Sequence, residues 1–135
     1  MGDRADVPAE VLDELRAICA RLPESREEAA WVGTRWRVRT RTFVHVFTAH
    51  PGQDGAYSRA AELTEPTVVM TFRARPEEFE ALVEGGEPFF RAAWGHDVVG
   101  VKVLPGADWA EIGELLAESY RKLAPAKLAR LVEFP

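Results

Sequence analysis

The sequence predicts an α+β fold in which antiparallel strands are covered on one face by helices. Two apolar patterns of different period, and their order, carry that expectation. Val11, Leu12, Leu15, Ile18, Cys19 and Leu22 recur at steps of three and four, as do Trp109, Ile112, Leu115, Leu116, Tyr120 and Leu123, which is the spacing of one helix face. Between them, residues 29–49, 67–72 and 98–104 are rich in Val, Thr, Phe and Trp and alternate over short runs, as half-buried strands do. The resulting order is helix, strands, helix, strand, helices, and it suggests antiparallel strands with the helices on one side.

The first helix starts at Asp6, Val7 and Pro8, because proline suits the first helical position and Glu10 lies in the favourable first turn. Pro23 ends it. Residues 29–49 accommodate two or three strands, and one further strand is expected near 67–72 and another near 98–104, where Val99, Val101 and Val103 alternate with Gly100 and Lys102. The stretch between Pro51 and Pro66, with Gly52, Asp54 and Gly55, reads as a long loop. Pro76 opens a short helix with Glu77 and Glu78 in its first turn, Phe79, Leu82 and Val83 inward, and Gly85 and Gly86 at its end. Asp108 and Glu111 have the spacing of a capping box ahead of the second long helix. Pro125 interrupts that helix, and a last short one carries Leu128, Leu131 and Val132.

With 135 residues the chain is sized for one ordinary core, so one domain spanning 1–135 is expected, without internal repeats or linkers. Cys19 is the only cysteine, so no internal disulfide can form and a reducing, cytoplasmic setting is expected. No run of 18 apolar residues and no signal-like amino terminus occurs, so no membrane association is expected. The formal charge of -5 argues against a strongly electrostatic nucleic-acid binder, but it is unevenly spread. Residues 1–60 hold nine arginines against nine acids, and residues 61–135 hold eight bases against thirteen acids, so the excess lies in the second part. Between Glu28 and Asp54 no acid occurs, while Arg35, Arg37, Arg39 and Arg41 do.

Those four arginines are the first candidate site. They could line one face of a strand or hairpin and meet phosphates, with Trp36 or Phe43 beside them for base stacking. The alternative is a solvated sheet face whose arginine stems cover apolar surface and whose guanidinium groups pair with acids from elsewhere. A second candidate is the segment from Pro88 to Gly100, where Phe90, Arg91, Trp94 and His96 mix apolar and polar groups as a ligand pocket does. Its alternative is a core-packing turn in which Gly95 and Gly100 serve backbone geometry or close packing.

No metal, cofactor or catalytic site is expected. His45 and His50 are five apart in a β-like stretch and point to opposite faces, and one cysteine cannot build a thiolate site. Glu27-Glu28 and Glu77-Glu78 suit helix starts and solvent better than acid-base work, and Tyr120 with Ser119 fits a helix packed into the core, its hydroxyl bonded. No nucleophile, base and orienting group can be assembled, and no glycine-lysine spacing cradles a nucleotide phosphate.

The first half of the chain, at Leu22-Pro23, Trp31, Trp36-Arg37-Val38 and Phe43, resembles the YjbR-like family, also called MmcQ/YjbR. The second half adds Pro88-Phe89-Phe90, Trp94-Gly95, Val99-Gly100-Val101, Asp108-Trp109, Glu114-Leu115-Leu116, Ser119-Tyr120, Ala124-Pro125 and Lys127-Leu128. The resemblance implies a two-layer sandwich of the α-β(3)-α-β(2)-α type, with an antiparallel sheet of about five strands. One departure is Arg39-Thr40-Arg41, where many relatives carry a Gly-Lys turn. The family's DNA-binding label comes from a proposed double-wing arrangement of hairpins. The expectation for function is therefore a non-catalytic binding protein that takes DNA or RNA on its arginine hairpin. The alternative is a module that binds a protein or small-molecule partner around Trp94.

Overall fold

The computed structural model describes residues 7–52, 61–92 and 95–133. Helix α1 (Ala9–Cys19) leads into strands β1 (Ser25–Ala29), β2 (Thr34–Val38), β3 (Arg41–Ala49) and β4 (Thr67–Arg73). Helix α2 (Pro76–Glu84), strands β5 (Phe89–Arg91) and β6 (Val98–Lys102), and helices α3 (Trp109–Leu123) and α4 (Ala126–Ala129) complete it. All strand pairs are antiparallel, and the sheet order is β1-β2-β3-β4-β6-β5. The α+β class, the antiparallel sheet and the helices on one face are as the sequence predicts.

Six strands form where about five were expected. The additional pairing comes from the two edges. Ser25-Arg26-Glu27-Glu28-Ala29 has no β pattern of its own, and becomes strand β1 by pairing along β2 from Ser25 opposite Val38 to Ala29 opposite Thr34. Phe89–Arg91, expected as part of an aromatic turn, pairs with β6 instead. Both edge strands are short, and β1 is charged, which discourages pairing with other chains.

Side chains on one face of the sheet join those of all four helices in the main core, which includes Leu15, Trp36, Val38, Phe43, Val46, Met70, Phe79, Val99, Leu116, Tyr120 and Leu128. Helix α1 ends at Cys19, earlier than Pro23 implied, yet Leu22 still reaches the core at 2% exposure. The amides of Arg21 and Leu22 donate to the carbonyls of Ile18 and Cys19, a tightened 3₁₀-type exit that keeps Leu22 on the buried side. Asp108 caps α3 as its spacing predicts, accepting from the Glu111 amide at 3.0 Å.

The hinge between the two layers is Ser119 on α3. Strand β3 carries an extra residue, Phe43, where the β2 register shifts between Trp36 and Arg37, and the β3–β4 ladder ends at Val44 opposite Phe72. Beyond that point the Phe43 carbonyl and the Arg73 amide have no ladder partner in each other. The buried Ser119 hydroxyl donates to the first at 2.7 Å and accepts from the second at 2.9 Å. The Tyr120 hydroxyl donates to the Pro23 carbonyl at 2.7 Å, tying α3 to the chain after α1, as expected for a core tyrosine.

Candidate functional site

Among the described residues all four helices pack on one side of the sheet, so the other is where strand side chains can meet a partner. The registers define a row across it: Glu28, Arg35, His45, Thr71, Gly100 and Phe90, taken from β1, β2, β3, β4, β6 and β5 in turn. On one side of this row the face is apolar. Phe47, Ala49, Val69 and Phe90 cluster with Ala61, and Val32 and Leu63 pack over them. Ala61 and Leu63 thus lie over the apolar half, and residues 53–60 of the expected long loop lie outside the described residues. On the other side of the row the face is polar, with Arg26, Arg37, Thr42 and Arg73.

His45 pins the boundary. Its Nε2 lies 2.6 Å from the Val32 carbonyl, and since a carbonyl only accepts, the proton sits on Nε2. Burial lowers its pKa, the Val32 carbonyl pulls the other way, and nearby Arg35 lowers it further, a balance that favours the neutral ring. His45 therefore holds the β1–β2 loop down on the sheet.

The arginines are held by an acid from the neighbouring strand. Glu28 Oε1 accepts from Arg35 Nε at 3.2 Å, Arg35 Nη2 at 3.1 Å and Arg37 Nη1 at 3.4 Å, while Arg26 Nη1 stands 4.0 Å from Oε2. Burial pushes the Glu28 carboxyl up, but the hydrogen bonds from Arg35 and Arg37 outweigh it and hold the pKa below the usual value. Two of the same side chains also serve the hairpin turn at residues 39–40. Arg26 donates to the Arg39 carbonyl at 2.9 Å and Arg37 to the Thr40 carbonyl at 2.6 Å. Arg39 itself has φ 56, in the left-handed region where glycine is at ease, and pairs with Glu24 at 3.0 Å. Arg41 is exposed and has no ion-pair partner among the described residues.

The four arginines do not share one face. Arg35 and Arg37 point to the open side, Arg39 sits in the turn, and Arg41 stands opposite Val38 on the helix side. Around this end, Arg26, Arg35, Arg37, Arg39 and Arg41 meet two carboxylates, Glu24 and Glu28, a net charge of +3 (five minus two). Glu27 is not counted, because it is held by Arg16 of α1 through two hydrogen bonds of 2.9 and 2.8 Å. Trp36 must be removed from the site. It faces the helices at 2% exposure, in the strand position that alternation assigns to the core, and no base can reach it; Phe43 is likewise buried, at 0%.

The aromatic segment does not converge. Phe90 lies on the open face with its ring over Gly100, where a Cβ would collide with it, which is why a glycine stands there. Arg91, its neighbour on a strand, points the other way and covers the Phe79 ring of α2 at 4.7 Å. His96 is exposed in the turn after them, and Trp94 lies outside the described residues. Phe90 and Arg91 being on opposite faces, they cannot line one pocket with His96. The turn is instead anchored by Asp97, which accepts from Arg73 at 3.3 and 3.2 Å and has Lys122 at 3.7 Å.

Among the described residues no group of three or more His, Cys, Asp or Glu side chains could hold a metal ion, and no helix is long and apolar enough to cross a membrane. Burial pushes the Cys19 thiol far up, so it is inert as a nucleophile.

A family model described as YjbR matches residues 20–122, which takes in the sheet, both candidate segments and nearly all of α3. The chain belongs to the YjbR family. Among solved structures, Deinococcus radiodurans protein DR2400, whose family domain is DUF419, is 21% identical, with a TM-score of 0.60 over 92% of this chain and 88% of that one. That likeness bears on the fold of this YjbR protein alone. No curated protein matches.

Sequence reasoning missed one residue at this site. Trp31, in the β1–β2 loop, is 80% exposed, whereas the other tryptophans described, Trp36 and Trp109, are buried or half-buried. The signal was available: Trp31 falls between the charged run that ends at Glu28 and Gly33, where a turn interrupts the β pattern.

Proposed function

We propose that this YjbR-family protein is a non-catalytic binding protein that takes nucleic acid on its β2–β3 arginine hairpin. The observation that carries the reading is the net charge of +3 gathered at the β2–β3 hairpin of a chain whose total is -5. Charge of that kind raises the local concentration of a polyanion, and the guanidinium groups of Arg35 and Arg37, paired with a partly exposed carboxylate, can exchange it for phosphate oxygens. The acids of the second half favour one orientation, with Glu78, Glu111, Glu114 and Glu118 grouped along α2 and α3 on the opposite, helical side. Binding through a few phosphates is weak and salt-sensitive, with a slope of log K on log salt near ~-3.6 for four contacts on duplex DNA. The buried lone thiol fits work in the cytoplasm.

The reading built on Trp94 is less favoured, since Phe90 and Arg91 diverge. The test is fluorescence anisotropy with labelled single- and double-stranded DNA at several salt concentrations, comparing the native chain with Arg39→Glu/Arg41→Glu. These two side chains lie at the hairpin tip and hold no other part of the fold beyond Glu24. Saturable binding that falls with salt and drops at least tenfold in the variant is expected. Absence of binding at low salt in the native chain overturns the reading.

A further inference from the structure

We infer that the cavity between the chain ahead of β5, the end of β6 and the start of α3 is a site for a small organic cation, an amine carried on a single ring or a short apolar chain. It lies by the opposite edge of the sheet from the arginine hairpin and does not depend on the nucleic-acid reading.

The cavity measures about 380 Å³, at the low end of the roughly 300–1,000 Å³ of small-molecule sites. Most of its wall is apolar. Phe89 and Val101 line it from the paired strands β5 and β6, Leu104 and Pro105 from the chain after β6, and Ile112 from α3. Val101 and Ile112 are held in the core at 2% and 5% exposure, whereas Leu104, at 44%, leaves apolar surface that a ligand can cover. Hydrogen bonds fix the walls. The Phe89 amide donates to the Gly86 carbonyl at 3.0 Å, the Lys102 amide to that of Pro88 at 2.9 Å and the Ala107 amide to that of Leu104 at 3.1 Å, while Asp108 caps α3. A site built this way gives up little freedom when it binds.

The charged groups select the ligand. Glu87, Asp108 and Glu111 line the cavity together with Lys102, three carboxylates against one ammonium, a net charge of -2. The Lys102 side chain is only 13% exposed and its Nζ lies 2.6 Å from Glu87, so its charge is already answered within the site. Asp108 and Glu111 have no ion-pair partner among the described residues. The N-terminus of α3 offsets only about half a charge. Across the turn at residues 104–107 a second cavity, of about 450 Å³, adds Glu10 and Glu14. The field is therefore negative on both sides of that turn, and the arginine hairpin lies by the far edge of the sheet. A protonated amine suits such a place: its hydrocarbon part covers Leu104 and its ammonium meets Asp108 or Glu111. An anion of the same shape would meet two carboxylates and could reach Lys102 only by displacing Glu87.

The experiment follows backbone amide shifts by NMR while the full chain is titrated, at low and high salt, with phenethylamine, phenylpropanoate and phenethyl alcohol, which share a ring and differ in charge. Phenethylamine should bind saturably, in about the millimolar range of so small a ligand, and shift the amides of Val101, Lys102, Leu104 and Ile112. At low salt it should bind about tenfold more tightly than phenylpropanoate, with the alcohol between them and the gap closing as salt is raised. Glu111→Gln should weaken the amine about two- to fivefold, the scale of one exposed ion pair, and leave the alcohol unchanged. Leu104→Ser should weaken amine and alcohol alike. Both positions are exposed, and the spectrum of each variant reports directly whether it is folded. Phenylpropanoate binding as tightly as the amine overturns the inference, as does an amine that shifts no amide of this cavity at low salt or whose binding neither variant changes. Each of those results leaves the DNA reading standing, since the hairpin takes no part in this titration.

Discussion

The two faces of strand β2 use neighbouring residues for opposite purposes. Trp36 and Val38 lie in the helix-covered core at 2% and 0% exposure, while Arg35 and Arg37 on the open side keep 37% and 24% of their side-chain surface. The helical face is held by shape and area, so its residues cannot be exchanged without leaving a void. The open face is held by a carboxylate among guanidinium groups, which a competing anion can rearrange. One face therefore carries stability, and the other is free to carry recognition.

The largest effect that can break this comparison is on the covered face. Trp36→Ala should cost about 3–5 kcal/mol of stability, the range for deleting a large buried aromatic. Arg35→Ala on the adjacent position, removing a partly exposed pair with Glu28, should cost under about 1 kcal/mol. Urea denaturation of the two variants checks both, and equal losses would mean that the open face is as structural as the core.

Ser119→Ala comes next. The hydroxyl serves the Phe43 carbonyl and the Arg73 amide at once where the ladder of β3 and β4 stops, so its removal leaves both without that partner. About 1–3 kcal/mol should be lost. Because those two groups also shape the polar end of the open face, amide hydrogen exchange at Arg73 should rise in the variant. Stability near that of the native chain would show that water replaces the hydroxyl without cost.

The core was legible because its periods are local: the stripes of α1 and α3 and the Asp108 cap were readable from spacing alone. Strand β1 was not, since nothing in Ser25–Ala29 favours a strand except the partner beside it, and β5 was hidden in a segment read as an aromatic turn. The arginine cluster was visible as an acid-free interval, but its organisation was not. Glu28 lies at the interval's edge in sequence and at the cluster's centre in space, because the tight turn at residues 30–33 folds β1 back beside β2. Trp36 and Trp31 were both visible as tryptophans. Trp36 is buried because it falls on the core phase of β2, whereas Trp31 stands in the turn between β1 and β2, where strand alternation assigns no face.

The smallest expected effect concerns pH, and it sharpens the comparison most. The folded pKa of Glu28 is depressed, because two arginine hydrogen bonds outweigh the burial that would raise it. A depressed carboxyl contributes stability that is present above the unfolded value of about 4.3 and is lost as pH falls through the folded value. Glu28→Gln removes that contribution at every pH, so native and variant urea midpoints should differ at pH 6 and converge as the pH falls well below 4. Parallel curves would mean that the carboxylate adds nothing to folding. The same substitution takes the local charge from +3 to +4 and releases Arg35 and Arg37 from their internal anion. DNA affinity should then rise while stability at pH 6 falls. Opposite signs in one variant are what a face divided between holding itself together and holding a ligand requires; a fall in both would assign Glu28 to positioning the arginines instead.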